Sequence, residues 1–222
     1  MATTAEVRRC TRLRGEPMRG RAAPERDSMS GTTNEGKEFM HYLSHYESPL
    51  GAMTMASDGE HLTGLWFDGQ KYDRSTIDDD AVLQPRLPVF TQTAQWLDAY
   101  FEGADPGFTP PIRVEGSDFK KMVSSIMLSI PFGATSTYAR IAAEIARRTG
   151  RKQMSAQAVG GAVGRNPISL IVPCHRVVAT NGSLRGYAGG VDRKEWLLDM
   201  EGVNVSGLST PPDADDGGGG RE

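Results

Sequence analysis

Residues 155–177 read SAQAVGGAVGRNPISLIVPCHRV, and the first half of this stretch predicts a helix of unusual composition. Ser155 is a typical N-cap residue, and Asn166-Pro167 ends the helical pattern. Most side chains between them are alanine or glycine, although each glycine costs a helix about 1 kcal/mol relative to alanine. The bare helix, residues 156–163, has few large side chains, which indicates that a large partner approaches its backbone closely. Close packing of helices within the protein is the alternative.

The second half of the stretch places a cysteine beside a histidine, in Pro173-Cys174-His175-Arg176-Val177. Residues 169–172 are largely apolar and predict a strand that ends at Pro173, because proline cannot continue a central ladder. A thiol reacts as its thiolate, and an adjacent imidazole is a common means of producing one. Cys174 is therefore a candidate nucleophile and His175 its candidate base. A buried cysteine that only packs in the core is the alternative.

The residues around this stretch are also mostly helical in pattern. Further helices are predicted at residues 117–128, from 136 or 137 to about 150, and at about 192–201. A helix that ends near Gly150 and is followed by the bare helix is the pattern of a helix-turn-helix. We expect residues 116–203 to form one mostly helical domain.

Residues 39–112 have a different pattern, in which short apolar segments alternate with turn residues. The predicted strands are residues 41–46, 53–57 and 62–67. Pro49-Leu50-Gly51 and Asp58-Gly59 separate them, which is typical of a small antiparallel meander.

A helix is predicted over residues 88–101, and its apolar stripe consists of Phe90, Ala94, Leu97 and Phe101. We therefore expect a small α/β domain in this half of the chain. Residues 1–38 and 204–222 lack apolar periodicity and are predicted to be disordered tails.

The net charge of −3 conceals an asymmetry between the two halves. Residues 116–202 carry 12 Lys and Arg against 6 Asp and Glu, whereas residues 38–115 carry 4 against 13. A basic segment in an acidic protein is typical of a phosphate-binding face. A solvated basic surface is the alternative.

Several kinds of protein are not expected from this composition. No segment approaches the roughly 20 apolar residues that a membrane helix needs. The two cysteines, Cys10 and Cys174, lie far apart, so we expect no disulfide framework and a reducing cytoplasm. The 4 histidines are dispersed without zinc-site spacing, so no metal is expected.

Taken together, these motifs closely resemble the O6-alkylguanine-DNA alkyltransferases. The resemblance is dense over residues 116–203, where the matching segments are residues 158–161, 166–167, 173–178, 186–190 and 194–198. Residues 39–112 match only in general layout. The resemblance implies an α/β N-terminal ribonuclease-H-like domain, followed by a mostly helical, winged-helix-like C-terminal domain with a helix-turn-helix.

The resemblance also implies a function. The protein would transfer the alkyl group of O6-alkylguanine in double-stranded DNA irreversibly to Cys174, once per molecule. It would need no cofactor and would act as a monomer. The resemblance leaves open whether O4-alkylthymine is also a substrate. His175 would deprotonate Cys174 through a water, and Glu201 would orient His175. Tyr138 would donate a proton toward N3 of guanine. Asn166 would tie the recognition helix, which is the bare helix, to the active-site loop that carries Cys174. The remaining residues implied to contact DNA or the flipped base are Gln157, Ala156, Gly160, Val177, Tyr187, Ala188 and Arg165.

Elementary chemistry limits how much the thiolate contributes to such a reaction. A base inside a duplex cannot present O6, so the nucleotide must be flipped out at a cost of a few kcal/mol. A free cysteine is roughly 3% ionised at neutral pH, so complete ionisation gains only about thirtyfold. Nucleophilicity also falls as the thiol pKa falls. We therefore expect a moderately lowered pKa for Cys174, with positioning and proton donation supplying the rest.

One position departs from the family pattern, and two other functions compete with the one implied. The position nine residues before Asn166 usually holds arginine but holds Gln157 here, which predicts slower capture of methylated duplex and weaker salt dependence. A DNA-binding module that only senses lesions would lack the acceptor, so Cys174 argues against it. A Cys-His hydrolase would need an oxyanion-stabilising site and would leave the bare helix unexplained.

Overall fold

The predicted antiparallel meander is present, and one further strand extends it. The computed structural model describes residues 40–78 and 80–209, so the tail predicted at residues 1–38 lies outside the described residues. Strands β1 (Tyr42–Ser48), β2 (Gly51–Ser57) and β3 (Leu62–Phe67) pair antiparallel in chain order. Strand β4 (Val82–Leu83) pairs parallel to β1, giving the sheet order β3-β2-β1-β4. The sequence does not indicate β4 because a pair of exposed residues has no visible alternation.

Helix α1 (Pro88–Phe101) packs against this sheet and has the bounds that the sequence predicts. Pro88 lies in the first turn, where its missing N–H would have had no partner within the helix. Phe90 and Leu97 of the predicted stripe are buried, and Tyr100, which lies beside the stripe, is completely buried. The helix therefore buries a tyrosine that its apolar pattern does not indicate.

The helices of the second half begin and end where capping chemistry predicts. Helices α2 (Asp118–Leu128), α3 (Tyr138–Thr149) and α4 (Ala156–Val163) each follow a Ser or Thr whose hydroxyl accepts a first-turn backbone N–H. Helix α3 ends at Gly150, whose φ of 66° is the left-handed conformation that favours glycine. The last helix is α5 (Val191–Met200).

Helices α3 and α4 form the predicted pair of consecutive, packed helices. Helix α2 packs against both, and the buried Val159 and Val163 anchor α4 in the core. A parallel two-stranded pair, β5 (Ser136–Thr137) and β6 (Val177–Val178), joins the start of α3 to the residues that follow the Cys-His motif. The helix-turn-helix and the motif are thus parts of one packed structure.

The strand predicted at residues 169–172 is wrong. Ile168 forms a β-bridge to Leu65, and the chain then folds into tight turns closed by its own backbone, with Leu170 at a φ of 67°. Residues 168–172 are all buried. A continuous apolar run indicates burial but not conformation, and here the run is buried without forming a strand. Cys174 consequently begins a 3-10 turn, Cys174–Arg176, instead of following a strand.

The C-terminal tail predicted from residue 204 begins too early. Val205–Gly207 form a 3-10 turn, and Ser209 forms a β-bridge with Ser183. Leu208 packs against a small cluster of buried side chains, which are Val178, Leu184 and Leu198. A few apolar side chains therefore hold residues 204–209 on the fold. Residues 210–222 lie outside the described residues.

One hydrophobic core runs through both predicted domains. It includes Leu65 and Phe90 from the first domain and Val123 and Leu197 from the second. A backbone hydrogen bond of 2.8 Å from the Leu65 N–H to the Pro167 carbonyl also crosses between the domains. Among the described residues, no helix is both long enough and apolar enough to cross a membrane.

Candidate active site

The thiol of Cys174 lies inside the protein, held by the side chain of Asn166. Cys174 is 4% exposed. The Asn166 amide nitrogen Nδ2 lies 3.0 Å from Cys174 Sγ and 2.7 Å from the Val172 carbonyl oxygen, and Asn166 Oδ1 accepts the backbone N–H of Ile168. Because Asn166 comes just after α4, it joins the bare helix to the turn that carries the cysteine, which is the position predicted for it.

The electrostatic surroundings of Cys174 differ from the expectation. Burial raises the pKa of the thiol above its ordinary value, while the Asn166 N–H and the nearby Lys194 ammonium act in the opposite direction without cancelling it. The predicted lowering of the pKa is therefore wrong for the free protein. That expectation rests on the adjacent imidazole and leaves out desolvation, which dominates here.

His175 follows Cys174 in the same turn and forms a buried pair with Glu201. The distance from His175 Nε2 to Glu201 Oε1 is 2.7 Å, and both side chains are 0% exposed. Burial lowers the pKa of His175, and the neighbouring carboxylate opposes this only partly. The other ring nitrogen, Nδ1, has no hydrogen-bond partner within the described part of the chain. The ring is thus favoured as a neutral imidazole with a free nitrogen.

Glu201 caps the end of α5 and receives several hydrogen bonds besides that of His175. Arg176 donates from Nε to Oε2 at 2.8 Å and from Nη2 to Oε1 at 3.0 Å, and the Gly133 N–H donates to Oε2 at 3.2 Å. The Tyr100 hydroxyl donates to Oε1 at 2.6 Å. Burial alone would raise the pKa of Glu201, but the bonds from His175 and Arg176 outweigh it and lower the pKa to about 2. Arg176 is therefore the counter-ion of the carboxylate.

Tyr138 lies at the start of α3 and faces the bare helix. Its hydroxyl donates to the Arg185 carbonyl at 3.0 Å, and burial raises its pKa to about 12, so it keeps its proton. A side chain at Gly186, whose φ is 85°, would stand 2.7 Å from this hydroxyl. Glycine at 186 is thus required for Tyr138 to lie where it does.

A cavity of about 570 Å³ lies beside the bare helix. Its walls bring together four of the predicted DNA- or base-contacting residues and two residues of the first domain, namely Gly160, Arg165, Tyr187, Ala188, Lys71 and Tyr72. Cys174 does not line it, but the thiol lies close enough to Tyr138 and Tyr187 for a thiolate to raise the pKa of both hydroxyls. Four of the predicted contact residues therefore line one cavity, and their binding of a flipped base stays a prediction.

Comparison with known proteins identifies the family of this chain. Residues 41–114 match the ribonuclease-like domain of 6-O-methylguanine DNA methyltransferase, and residues 118–203 match the DNA binding domain of the same proteins. The chain belongs to the 6-O-methylguanine DNA methyltransferase family. The two matches also bear out the predicted order of a ribonuclease-like α/β domain followed by a helical DNA-binding domain.

Relatives in this methyltransferase family match most of the chain. The methylated-DNA–protein-cysteine methyltransferase of Methanosarcina acetivorans is 41% identical over 162 residues, which are 72% of this chain and 98% of that protein. The protein of that name from Mycobacterium tuberculosis is 38% identical over 163 residues, which are 73% and 93% of the two chains.

Solved structures of family members have the same fold. Mycobacterium tuberculosis OGT in complex with DNA is 36% identical with a TM-score of 0.62, covering 75% of this chain and 94% of that one. The O6-methylguanine DNA methyltransferase from Methanococcus jannaschii is 29% identical with a TM-score of 0.51, covering 77% and 98%.

The bare helix of this methyltransferase carries two further predicted DNA-contacting residues. Ala156 and Gln157 are exposed in the first turn of α4, and Gly161 is exposed further along it. Internal helix packing does not explain small side chains at exposed positions, so that alternative fails for this face. At Gly160, which is half-buried, a Cβ would lie 3.8 Å from the Tyr138 ring, an ordinary contact distance.

Val177 is placed differently from the other predicted contacts. It is completely buried, and its carbonyl oxygen accepts a 2.5 Å hydrogen bond from Lys194 Nζ. Lys194 is also 0% exposed, and burial lowers its pKa to about 8. Its Nζ lies 3.5 Å from the Arg185 carbonyl oxygen as well, so it ties the residue after the catalytic turn to the segment bordering the cavity.

Sequence reasoning missed two residues that belong to this site. Lys194 was part of the matching motif but was given no role, and Tyr100 was not singled out at all. A tyrosine in an amphipathic helix has no local signal that distinguishes a bonded hydroxyl from a packed ring. Only the fold reveals that Tyr100 reaches Glu201, because the two are separated by 101 positions.

Proposed function

We propose that this methyltransferase-family protein removes the alkyl group from O6-alkylguanine in double-stranded DNA and retains it on Cys174. The observation that carries this proposal is the thiol, held 3.0 Å from Asn166 Nδ2, in the same turn as the buried His175–Glu201 pair at 2.7 Å. The family membership supports it, as does a relative solved in complex with DNA.

DNA binding begins at the exposed face of α4. Its alanine and glycine side chains allow the helix to lie close to the DNA backbone in the minor groove, a mode used by proteins that deform the duplex. The target guanine leaves the stack and enters the cavity beside Tyr187, at a cost of a few kcal/mol. Gln157 fills the space that the base leaves. Because Cys174 is 4% exposed, the surroundings of the thiol must open as the base enters.

The chemical step is a displacement at the alkyl carbon. His175 Nδ1 accepts the thiol proton through a water, and Cys174 Sγ attacks the carbon that is bonded to O6. The new S–C bond forms as the C–O bond breaks, and the electron pair of that bond passes to the guanine. Tyr138 donates a proton toward N3 of the leaving guanine, and the proton taken up by His175 then returns to the Tyr138 phenolate through solvent. The net result is exchange of the thiol proton for the alkyl group.

The buried thiol and the Glu201 carboxylate contribute differently to this step. Burial holds the thiol protonated in the free protein, so the nucleophile is generated only when a base can take the proton. Glu201 stays ionised and keeps the imidazole oriented, since its pKa is about 2. The product is a thioether with no leaving group for water to displace, so each molecule acts once.

The test is a mass measurement on the intact protein after incubation with a duplex that carries O6-methylguanine. We expect one methyl group to replace one hydrogen in the wild type and in Cys10→Ser, and no change in Cys174→Ser. Removal of many lesions by one molecule would contradict the proposal and favour a hydrolase. The same assay with O4-methylthymine decides whether thymine lesions are also substrates.

We further propose that the protein acts as a monomer in the cytoplasm, where thiols remain reduced. Light scattering of the protein with and without duplex checks the first point. A stable dimer required for alkyl transfer would contradict it.

A further inference from the structure

Tyr100 connects the first domain to the buried pair beside the cysteine. It lies in the last turn of α1 and is 0% exposed. Its hydroxyl donates to Glu201 Oε1 at 2.6 Å. The oxygen of that hydroxyl also lies 3.2 Å from His175 Nε2. The displacement by Cys174 at the alkyl carbon does not itself use this contact.

We propose that Tyr100 is a positioning residue for alkyl transfer, because its hydroxyl keeps the proton of His175 on Nε2 and limits the negative charge that Glu201 offers to the ring. The inference rests on the proposed function and deepens it. It also assigns the ribonuclease-like domain a direct part in preparing the base.

The hydrogen-bond neighbours of His175 determine its tautomer. A phenol has one proton, and here that proton is donated to Glu201. The lone pairs of the phenol oxygen therefore face His175 Nε2, and the other neighbour of Nε2 is a carboxylate oxygen. A nitrogen that faces only acceptors must carry the hydrogen. Nδ1 is then the unprotonated nitrogen that can accept the thiol proton.

Tyr100 also reduces the charge that Glu201 presents to His175. Each donor that bonds the carboxylate makes it less able to stabilise an adjacent imidazolium. Tyr100 bonds Oε1, the same oxygen that faces His175. The hydroxyl therefore helps to keep His175 neutral and ready to act as a base.

The ionisable groups around His175 come from every element that packs against it. They are Tyr100 on α1, Cys174 and Arg176 in its own turn, Tyr187 beside the cavity, Lys194 on α5, and Glu201. Lys194 and Arg176 are cations that disfavour a second positive charge on the ring. Glu201 is the anion that would stabilise a protonated His175 ring. A change in the hydrogen bonds of Glu201 therefore affects the pKa of His175 most directly.

A packing role alone is the competing explanation. The Tyr100 ring stacks on Trp96 with centroids 5.0 Å apart and meets Phe132 edge-on at 6.0 Å. Phenylalanine keeps the ring and removes only the hydroxyl. Glu201 retains its bonds from Arg176 and Gly133 in that variant, so the fold should persist.

The experiment compares Tyr100→Phe with Tyr46→Phe in the full-length protein. Tyr46 is a matched control, because its hydroxyl also bonds a carboxylate, Asp98 Oδ1 at 2.8 Å, whereas the carboxylate that Tyr100 bonds is the one that faces His175. One measurement follows the ¹⁵N shifts of the His175 ring as the pH changes. The other follows single-turnover alkyl transfer from an O6-methylguanine duplex over the same pH range.

We expect His175 in Tyr100→Phe to gain its second proton at higher pH than in the wild type. The alkyl-transfer rate should fall about tenfold at neutral pH, with its acid limb displaced upward, because one hydrogen bond to a charged group is lost. Tyr46→Phe should match the wild type in both measurements.

Two outcomes would overturn the inference. One is an unchanged His175 titration and rate profile in Tyr100→Phe. The other is a rate loss that only follows the unfolded fraction while the titration stays unchanged, which would indicate packing alone. Failure of the wild type to accept a methyl group would instead refute the proposed function, and the ring titration would still decide the role of Tyr100.

Discussion

At the scale of single residues, the buried carboxylate of Glu201 is the strongest determinant of the site. Its side chain is 0% exposed and is surrounded by donors from both domains. The role of Glu201 in orienting His175 is implied by the resemblance to the alkyltransferases. The sequence does not indicate its burial, because a glutamate at the end of a helix is ordinarily solvated.

We expect Glu201→Gln to destabilise the fold at neutral pH by about 3–5 kcal/mol, because it leaves the buried Arg176 without its anion. The pKa of Glu201 in the folded protein is about 2, below its ordinary value of 4.5. The ionised carboxylate therefore stabilises the fold above about pH 4.5, and this stabilisation disappears as the pH falls toward 2.

Urea unfolding at neutral pH and at about pH 3 measures this effect. The difference between the wild type and Glu201→Gln should shrink in acid. Glu195→Gln, at an exposed position of the same helix, is the control and should have little effect. A difference that stays constant with pH would contradict the assignment of the shifted pKa to Glu201.

The exposed Gln157 allows a second prediction at this scale. Gln157→Arg adds a cation in the first turn of α4, where the proposed DNA interface begins. We expect faster capture of O6-methylguanine duplex and a steeper salt dependence, by about 0.9 in the slope of log affinity against log salt for one added phosphate contact. Single-turnover rates and binding at several salt concentrations provide the measurement.

Gln95→Arg is the matched control for that variant. It adds the same charge at an exposed position of α1. If both variants change the salt dependence equally, the effect comes from net charge and the local interpretation of Gln157 is wrong.

At the scale of helices and strands, the sequence predicts those elements whose ends have their own chemistry. Ser117, Thr137 and Ser155 cap the three helices that follow them, and Gly150 ends α3. These signals act within one helical turn, so no knowledge of the fold is needed to use them. Residues 169–172 have no such signal, and their tertiary environment determines that they form turns.

Helix α4 provides a prediction that separates stability from DNA binding. A Cβ at Gly161 would meet only the Arg165 guanidinium, at 3.7 Å, which is ordinary contact. We expect Gly161→Ala to raise the free energy of unfolding by up to about 1 kcal/mol, since alanine favours the helix. The same methyl group stands on the exposed face, so capture of duplex should become slower.

Thermal unfolding and single-turnover capture test this prediction together. Ser125→Ala on the exposed side of α2 serves as the control, because it also improves helix propensity but lies on another helix. Unchanged capture by Gly161→Ala would show that the bare face of α4 is not the surface that the duplex approaches.

At the scale of the whole molecule, the two halves differ in charge and pattern but share one core. The sequence distinguishes the two halves because strand and helix periodicities differ. It does not reveal that Cys174 belongs to the same buried cluster as Phe90 and Leu97. Contacts between residues far apart in the chain, such as Tyr100 with Glu201, depend on the tertiary arrangement, and local patterns do not encode it.

This shared core predicts that the reaction itself weakens the protein. Cys174 Sγ is buried, and Asn166 Nδ2 lies 3.0 Å from it. A methyl group on that sulfur must displace a close neighbour, and an extra carbon in a packed core usually costs about 1–3 kcal/mol. Because the cluster joins both domains, we expect the entire unit to unfold at a lower temperature after methylation. Calorimetry after stoichiometric reaction and removal of the DNA tests this, with Cys174→Ser treated identically as the control. A methylated protein that unfolds at the original temperature would mean that the pocket already has room for the alkyl group.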